Sequence, residues 1–382
     1  MEGTGKVLKY VLITGSRGFI GSNLVQALKR MSNIKIFEYD IGSLDRELEE
    51  GIMNADIVFH LAGVNRPEAI SEYEKGNVLL TKNILDLIDD KNRKPIVIFM
   101  SSIQAELDNP YGKSKLEAEK LLRDWATSRE STVVIYRLPN VFGKWCRPNY
   151  NSAVATFCYN IARELEIQIN DPDRVLQLVY IDDVVEEFIS ILNKDLPPGG
   201  HYLEVKPVFN INIVDLVNLL KAFKESRKTL KLPDFNDPFI RRLYATYISY
   251  LPENDFAYSV PVKSDKRGEL AELMKSSSFG QIFISRTRPG EVRGNHFHDT
   301  KVEKFVVIDG EAIISFRHIL REEVIEYRAS GEDFKIVDIP PGYTHSIKNV
   351  GDRDLIVLFW ADEIFDPEKP DTFHVEVKNE KN

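Results

Sequence analysis

The stretch Thr14-Gly15-Ser16-Arg17-Gly18-Phe19-Ile20-Gly21 constrains this chain more than any other segment. It joins an apolar run, Tyr10–Thr14, to an amphipathic run from Phe19 to Lys29, in the order strand, tight turn, helix. Glycine at 15 and 18 lets the backbone turn sharply and approach a pyrophosphate, which the helix start would stabilise. Gly21 lets the helix pack against the strand. An ordinary strand-to-helix loop can carry such glycines, so the surroundings decide. Asp40 follows the next apolar run, Ile34–Tyr39, where a dinucleotide site carries a ribose-binding acid. Ile57–Leu61, Ile96–Met100 and Val133–Arg137 are further short apolar runs, separated by segments of helical period such as Leu79–Ile88 and Ser114–Thr127. This alternation predicts an α/β, Rossmann-type doubly wound parallel sheet covered by helices on both faces.

A length of 382 residues favours more than one domain. After about Leu251 the texture changes. Gly280–Ser285, Phe305–Ile308, Ala312–Phe316, Phe334–Val337 and Asp354–Phe359 are short strand-like runs punctuated by turn residues, which predicts an antiparallel β-barrel or sandwich. Asn212–Lys224 reads as a helix of an appended lobe. Leu232–Asp255, broken by Pro233, Pro238 and Pro252, reads as the connecting region. The expected division is 1–245 for a nucleotide-binding domain with its lobe and 246–382 for an all-β domain.

Fifty Lys and Arg stand against 59 Asp and Glu, a net charge of -9 with no basic stripe. That argues against nucleic acid or an anionic membrane as the main partner. Cys146 and Cys158 are too sparse for a disulfide scaffold. No apolar window of about 18 residues suggests a membrane span, and no signal peptide is expected before the first strand. These features predict a cytoplasmic enzyme.

Tyr111-Gly-Lys-Ser-Lys115 places a Tyr and a Lys four residues apart, on one face of a helix. An ammonium beside a phenol stabilises the phenolate, so the pair can exchange a proton during hydride transfer. Such a pair is also common on solvated helices. It gains weight from Ser101-Ser102 at the end of Ile96–Met100, because α/β sheets carry site residues at the carboxyl ends of their strands. For the cofactor, Asp40 would favour NAD, whereas Arg17 could pair the 2′-phosphate of NADP. NADP(H) is the expected cofactor, with NAD as the alternative.

The second half carries Gly290-x5-His296-x-His298-x4-Glu303-x6-Gly310, then Pro340-x-Gly342-x2-His345-x3-Asn349. Residues two apart on a strand face the same side, so His296 and His298 can share a ligand sphere. Glu303 and His345 would complete four ligands with room for water or substrate. Three imidazoles and a carboxylate suit zinc, and also iron, manganese or nickel. His60, His201, His318 and His374 fit no ligand spacing and read as structural.

With these residues in view, the first half resembles the extended short-chain dehydrogenase/reductase family, in its nucleotide-sugar branch. The match rests on Gly15, Gly18 and Gly21; Asp56-Ile57 before His60-Leu61-Ala62-Gly63; Ser102, Tyr111 and Lys115; the segment from Arg137 through Asn140 to Gly143; and Tyr180-Ile-Asp-Asp183. It covers roughly the first 190 residues. The resemblance implies Tyr111 as proton donor beside the cofactor, Lys115 as its electrostatic support and as a contact to the cofactor ribose, and Ser102 (Ser101 being the alternative) as partner of the reacting oxygen. It implies further that Asp56 and Ile57 border the adenine and that Leu61, Ala62 and Gly63 line the cofactor. Dehydratases of that family carry acidic residues just after the serine. This chain has Ile103-Gln104 there, which argues against water loss and for plain ketone reduction.

The second half resembles the two cupin motifs, although Phe334 stands where a motif glycine would fall, with Gly331 nearby. The fusion resembles the bifunctional capsular-polysaccharide enzymes of the UDP-N-acetyl-L-fucosamine pathway. That implies a cupin that inverts C3 of a UDP-2-acetamido-2,6-dideoxy-hexos-4-ulose and a reductase that then reduces C4, giving a UDP-2-acetamido-2,6-dideoxy-L-talose. The C3 proton lies beside a ketone, so its removal leaves an enolate-type charge that a Lewis-acidic metal could stabilise. Tyr343, Lys301 and Lys304 are candidates for the C3 base. Arg66, Asn140, Lys144, Arg147 and Arg174 are candidates for substrate or diphosphate contact, and a homodimer is expected. Two other readings are a reductase whose metal domain serves only dimerisation, and a nucleotide-sugar-binding regulator.

Overall fold

The computed structural model describes residues 8–260, 262–265, 268–271, 274, 281–363 and 368–378. Met1–Lys6, where the signal-peptide expectation fell, and Gly280 lie outside the described residues. The chain divides into two compact units, Met1–Phe142 with Tyr150–Ser152 and Leu176–Asn210, and Gly143–Asn149 with Ala153–Val175 and Ile211–Asn382.

In the first unit, β1 (Lys9–Thr14), β2 (Ile34–Tyr39), β3 (Ile57–His60), β4 (Ile96–Ser102), β5 (Thr132–Leu138) and β6 (Gly199–Leu203) form one sheet, ordered β2-β1-β3-β4-β5-β6. All pairings are parallel. Helices cover both faces, so the central strands are buried throughout and read as unbroken apolar runs rather than alternating ones. From β1 the chain passes outward to β2 and then returns to β3 on the other side. That reversal opens a crevice at the carboxyl ends of β1 and β3, where α/β sheets bind ligands. Helix α1 (Phe19–Lys29) follows β1, and α2 (Pro110–Arg129) follows β4. Asn109 caps α2, its side chain accepting from the Gly112 N–H at 2.8 Å, and Pro110 opens the helix. The helix thus starts four residues before the expected Ser114 and holds Tyr111 in its first turn. The segment expected to begin at Leu79 is longer too. It starts at Ser71 and passes through a π-helical stretch, Glu74–Leu79, before the α-helix Leu80–Asp90.

The second unit combines helices with two five-stranded antiparallel sheets and a two-stranded one, Val262–Asp265 with Gly268–Ala271. Helix α3 (Ile213–Thr229) matches the expected lobe helix, but Leu232–Asp255 is not a simple connection, because it contains α4 (Pro238–Ile248). Pro238 lacks only an N–H that the first helical turn leaves unbonded anyway, and Asp237 accepts from Phe239 N at 2.8 Å. The proline read as a break is a helix start.

The strands that follow are β7 (Ala257–Ser259), β8 (Gln281–Thr287), β9 (Val292–Phe297), β10 (Glu303–Asp309), β11 (Glu311–His318), β12 (Val324–Ser330), β13 (Lys335–Ile339), β14 (Tyr343–Asn349), β15 (Leu355–Ala361) and β16 (Phe373–His374). They make two five-stranded sheets, β7-β13-β10-β15-β8 and β12-β11-β14-β9-β16. Phe334 adopts φ +46°, the left-handed conformation that glycine takes at little cost, at the position where the cupin motif would carry glycine. No helix among the described residues is long and apolar enough to cross a membrane, and Cys158 is buried.

Candidate active site and metal centre

Gly15 ends β1 with φ +71°, and its N–H donates to the Tyr39 carbonyl at 2.9 Å. A Cβ on Gly15 would fall 2.7 Å from Ala62 N, and one on Gly21 would fall 2.0 Å from the Gly15 carbonyl oxygen. The turn therefore requires glycine at both positions. Helix α1 has no side-chain cap and no acid in its first turn, so its leading N–H groups and dipole remain available to an anion. The buried Ser16 Oγ in the same turn has no hydrogen-bond partner. Phe19 and the buried Ile20 begin the helix. The Asp40 carboxylate accepts from Arg17 N at 2.6 Å and from Ile41 N at 2.7 Å, while the Arg17 side chain is exposed beside it.

The segment after β3 closes the crevice. Leu61 N donates to the Thr14 carbonyl at 3.2 Å, and Ala62 N to Thr14 Oγ1 at 3.3 Å. A Cβ on Gly63 would lie 2.7 Å from Asn77 Oδ1 and 3.1 Å from Lys115 Nζ. Asp56 and Ile57 do not belong here, and this is a correction. Ile57 pairs with Val11 at the amino end of the sheet, and the Asp56 carboxylate accepts from Tyr10 N at 2.9 Å. Three residues of strand, about 10 Å, separate that end from Thr14 and His60. Neither residue can border a nucleotide held by the Gly15–Gly18 turn.

His60 is fully enclosed and structural, as its spacing implied. The Thr81 hydroxyl donates to Asn77 O at 2.6 Å and so accepts from His60 Nε2 at 2.9 Å; His60 Nδ1 then accepts from Thr14 Oγ1 at 2.8 Å. Burial, reinforced by Lys115, lowers its pKa to about 3 and keeps the ring neutral.

Tyr111, Lys115 and Glu119 follow one another along a face of α2. Burial is the main cause that pushes the Tyr111 hydroxyl up to about 12, against a hydrogen bond from Ser102 that lowers it. Lys115 is buried, donates to Met100 O at 3.0 Å, and stands 6.0 Å from the centre of the Tyr111 ring. Burial draws its pKa down to about 8, with Glu119 acting in the opposite direction.

The two candidate serines separate cleanly. Ser101 donates to buried Glu119 at 2.5 Å, and Glu119 also takes Arg137 Nη2 at 2.6 Å and Tyr202 Oη at 2.9 Å. Ser101 is committed to that cluster, whereas Ser102 faces Tyr111. Asn77 and Ser114, bonded to each other at 2.9 Å, were not singled out from sequence. Their signal was the spacing Asn77/Thr81 and the position of Ser114 beside Lys115.

In the second unit, one ligand atom from each of His296, His298, Glu303 and His345 lies within 4.8 Å of the others. The set spans both sheets, His296 and His345 pairing across β9 and β14 while Glu303 opens β10. A β-bulge between Gly294 and His296, with Asn295 at φ +57°, reorients the end of β9. Glu303 Oε2 stands 3.3 Å from His298 Nε2 and 3.5 Å from His345 Nε2, and His345 Nε2 is a buried atom with no hydrogen-bond partner. Burial raises the Glu303 pKa, but the facing His298 and His345 rings outweigh it and hold the carboxyl below its ordinary range. Burial first, then His345 and His298, lower the His296 pKa to about 3. A carboxylate facing three imidazoles is a divalent-metal donor set.

Of the three base candidates, Lys301 donates to Pro370 O at 2.9 Å, and Lys304 is buried against Asp338, on the strand face opposite Glu303. Tyr343, two residues before His345, shares its face; its hydroxyl meets Glu253 Oε1 at 3.2 Å, and burial keeps it protonated. Among the contact candidates, Arg66 bonds the Tyr150 carbonyl and Asn140 Nδ2 donates to Gln177 O at 3.1 Å, both in the first unit. Lys144, buried with Nζ 5.3 Å over the Trp145 ring, and the exposed Arg147 and Arg174 belong to the second.

The NAD dependent epimerase/dehydratase family matches residues 11–203, and the polysaccharide biosynthesis C-terminal domain matches residues 263–373. A Pseudomonas aeruginosa protein named UDP-2-acetamido-2,6-beta-L-arabino-hexul-4-ose reductase is 44% identical over 363 residues, 95% of this chain and 97% of that one. The crystal structure of the capsular polysaccharide assembling protein CapF from Staphylococcus aureus is 46% identical, with a TM-score of 0.65 over 96% of this chain and all of that one (100%). UDP-glucuronic acid 4-epimerase from Bacillus cereus, solved with UDP-glucuronic acid and NAD, shares the fold at 20% identity and a TM-score of 0.51 over 56% of this chain and 83% of that one. The chain thus belongs to the NAD dependent epimerase/dehydratase family, among members that join this domain to a polysaccharide biosynthesis C-terminal domain.

Proposed function

We propose that the chain is a two-step enzyme acting on a UDP-2-acetamido-2,6-dideoxy-hexos-4-ulose. In this reading the metal centre, in a cupin-type pairing of the two antiparallel sheets, serves inversion at C3. The Tyr111 site then reduces the C4 ketone, giving UDP-2-acetamido-2,6-dideoxy-L-talose for a surface polysaccharide. One observation carries it. A single chain, matched over 95% of its length by a named UDP-sugar reductase, holds both a Ser102–Tyr111–Lys115 set and a three-histidine, one-glutamate set.

The uncapped start of α1 and the unpartnered Ser16 Oγ fit a dinucleotide. Gly15, Ser16, Arg17, Gly18, Phe19, Ile20, Asp40, Leu61, Ala62 and Gly63 are assigned to it. Arg17, exposed beside Asp40, supports NADP(H), and Asp40 supports the alternative, NAD. The unpartnered His345 Nε2 and the four converging donors fit zinc or another divalent ion. When bound, the nicotinamide supplies hydride and the metal supplies Lewis acidity beside the ketone.

The chain's own groups do the rest. Tyr111, protonated up to about 12, gives its proton to the C4 oxygen. Lys115 steadies the phenolate that remains, and Ser102 holds the reacting oxygen. At C3, Tyr343 is assigned to proton transfer because it shares the strand face of His345, whereas Lys304 lies on the face opposite Glu303 and Lys301 is bonded to Pro370 O. Ile103 and Gln104 supply no acid for water loss, and Glu106 in the same turn is paired with Arg137 at 2.7 Å.

The test incubates the purified protein with the 4-ketosugar in D2O, with and without NADPH. Deuterium at C3 in the first arm and NADPH oxidation in the second are expected. Chelation, or His296→Ala, abolishes the deuterium, and supplying the C3-inverted ketosugar restores NADPH oxidation. Unchanged exchange in a folded His296→Ala variant would leave the metal a structural role, and neither signal in the wild type would refute the proposal.

A further inference from the structure

The segment 370–377 is stitched to two of the ligand-bearing strands, β9 and β14. β16 pairs with β9 through Phe373 and His374. Val375 N donates to Asn295 O at 2.9 Å, and Thr344, next to His345, bonds the Val375 carbonyl. Arg317 reaches Glu376 O at 2.8 Å and Val377 O at 3.0 Å. Asp371 concentrates these contacts. Its carboxylate accepts from Asp299 N at 2.9 Å, Thr300 N and Oγ1 at 3.0 Å each, and Lys301 N at 2.7 Å. Those donors form the loop that joins His298 to Glu303. Its own carbonyl accepts from His298 Nδ1 at 2.5 Å. It does so at φ +36°, a conformation that few residues other than glycine adopt.

The hydrogen-bonding logic of His298 follows. A neutral imidazole carries one N–H, and a carbonyl can only accept, so the proton sits on Nδ1. Nε2 is then the nitrogen left for a metal, 3.3 Å from Glu303 Oε2 and facing the ligand cluster. The carboxylate fixes where the 371 carbonyl stands by tying residue 371 to the neighbouring loop. An outer partner of this type orients a metal-binding histidine and selects its tautomer.

We infer that Asp371 is a positioning residue of the metal centre, clamping the 299–301 loop with its carboxylate and setting the His298 tautomer with its carbonyl. The inference rests on the metal reading above and adds to it a residue 73 positions away from His298 in the chain.

The test measures Zn²⁺ affinity of the full chain by competition with a chromophoric chelator, for wild type, Asp371→Asn and Asp371→Ala. Imidazole 15N NMR of the metal-free proteins runs beside it. Asp371→Ala is expected to weaken Zn²⁺ binding about 10- to 100-fold, the range for loss of an outer-shell partner. The His298 signal should move from the Nδ1–H pattern toward mixed tautomers. Asp371→Asn, which keeps one acceptor oxygen, should fall between. Wild-type Zn²⁺ affinity and an unchanged His298 signal in a folded Asp371→Ala variant would overturn the inference. Failure of the wild type to bind Zn²⁺ would overturn the metal reading, and the inference with it.

Discussion

The two polar clusters of this molecule are assembled in opposite ways. In the parallel-sheet unit the proton-transfer pair is local, with Tyr111 and Lys115 one helical turn apart on α2 and held there by the Asn109 cap and Pro110. In the β unit the four ligands come from two sheets, and pairing of His296 with His345 across β9 and β14 brings together residues nearly 50 positions apart. The first arrangement survives as long as one helix start survives. The second depends on strand register, on a bulge at Gly294–His296, and on the 370–377 segment. The local site is therefore tuned by environment, mainly burial, and the distant one by connectivity.

The largest effect is expected where burial does the tuning. Replacing Lys115 by Met should lower kcat for ketone reduction about 100-fold or more, within the usual range for an acid–base group. The pH profile sharpens the point. Lys115 titrates near 8, so it is charged below that value and loses its charge above it. Tyr111 stays protonated throughout, up to about 12. Wild-type reduction should thus fall as pH rises through about 8, and Lys115→Met should show no such fall. A wild-type profile flat to pH 10 would break the electrostatic account.

The serine pair gives a smaller contrast. Ser102→Ala should reduce kcat about 10- to 100-fold with the melting temperature little changed. Ser101→Ala should do the reverse, costing about 1–3 kcal/mol by leaving part of buried Glu119 unsatisfied. Steady-state kinetics and denaturant melts on both variants test the assignment.

The smallest effect concerns Phe334. Glycine there would relieve about 1–2 kcal/mol of left-handed strain. It would also remove a half-buried ring packed on Leu230, Val260, Val306 and Ile336, and half of a usual Phe deletion is about 2 kcal/mol. Packing wins narrowly. Phe334→Gly should be destabilised by up to about 1 kcal/mol, and a stabilised variant would show that strain dominates.

How much of this was legible in the sequence follows the same division. The glycine turn and the Tyr111/Lys115 spacing are short-range, the ligand pattern consists of two short motifs far apart in the chain, and the structure brings each set together. The Asp56-Ile57 assignment failed on strand polarity. Ile57 opens β3 and Asp56 precedes it, whereas ligands gather at the carboxyl ends, so the motif match conflicted with a rule that could have rejected it. Helix α4 was missed because Pro238 was read as a breaker when it stands at a helix start. Ser101 and Ser102 could not be separated from sequence, since adjacent strand residues face opposite sides and nothing local says which side holds Tyr111. Asp371 had no local signal at all, because its partners are about 70 residues away.

The most direct test of a division of labour is Tyr111→Phe incubated with the UDP-linked 4-ketosugar, NADPH and D2O. The account predicts deuterium at C3 at close to the wild-type rate and no oxidation of NADPH above background. Loss of both signals together in the folded variant, or continued oxidation of NADPH, would contradict it.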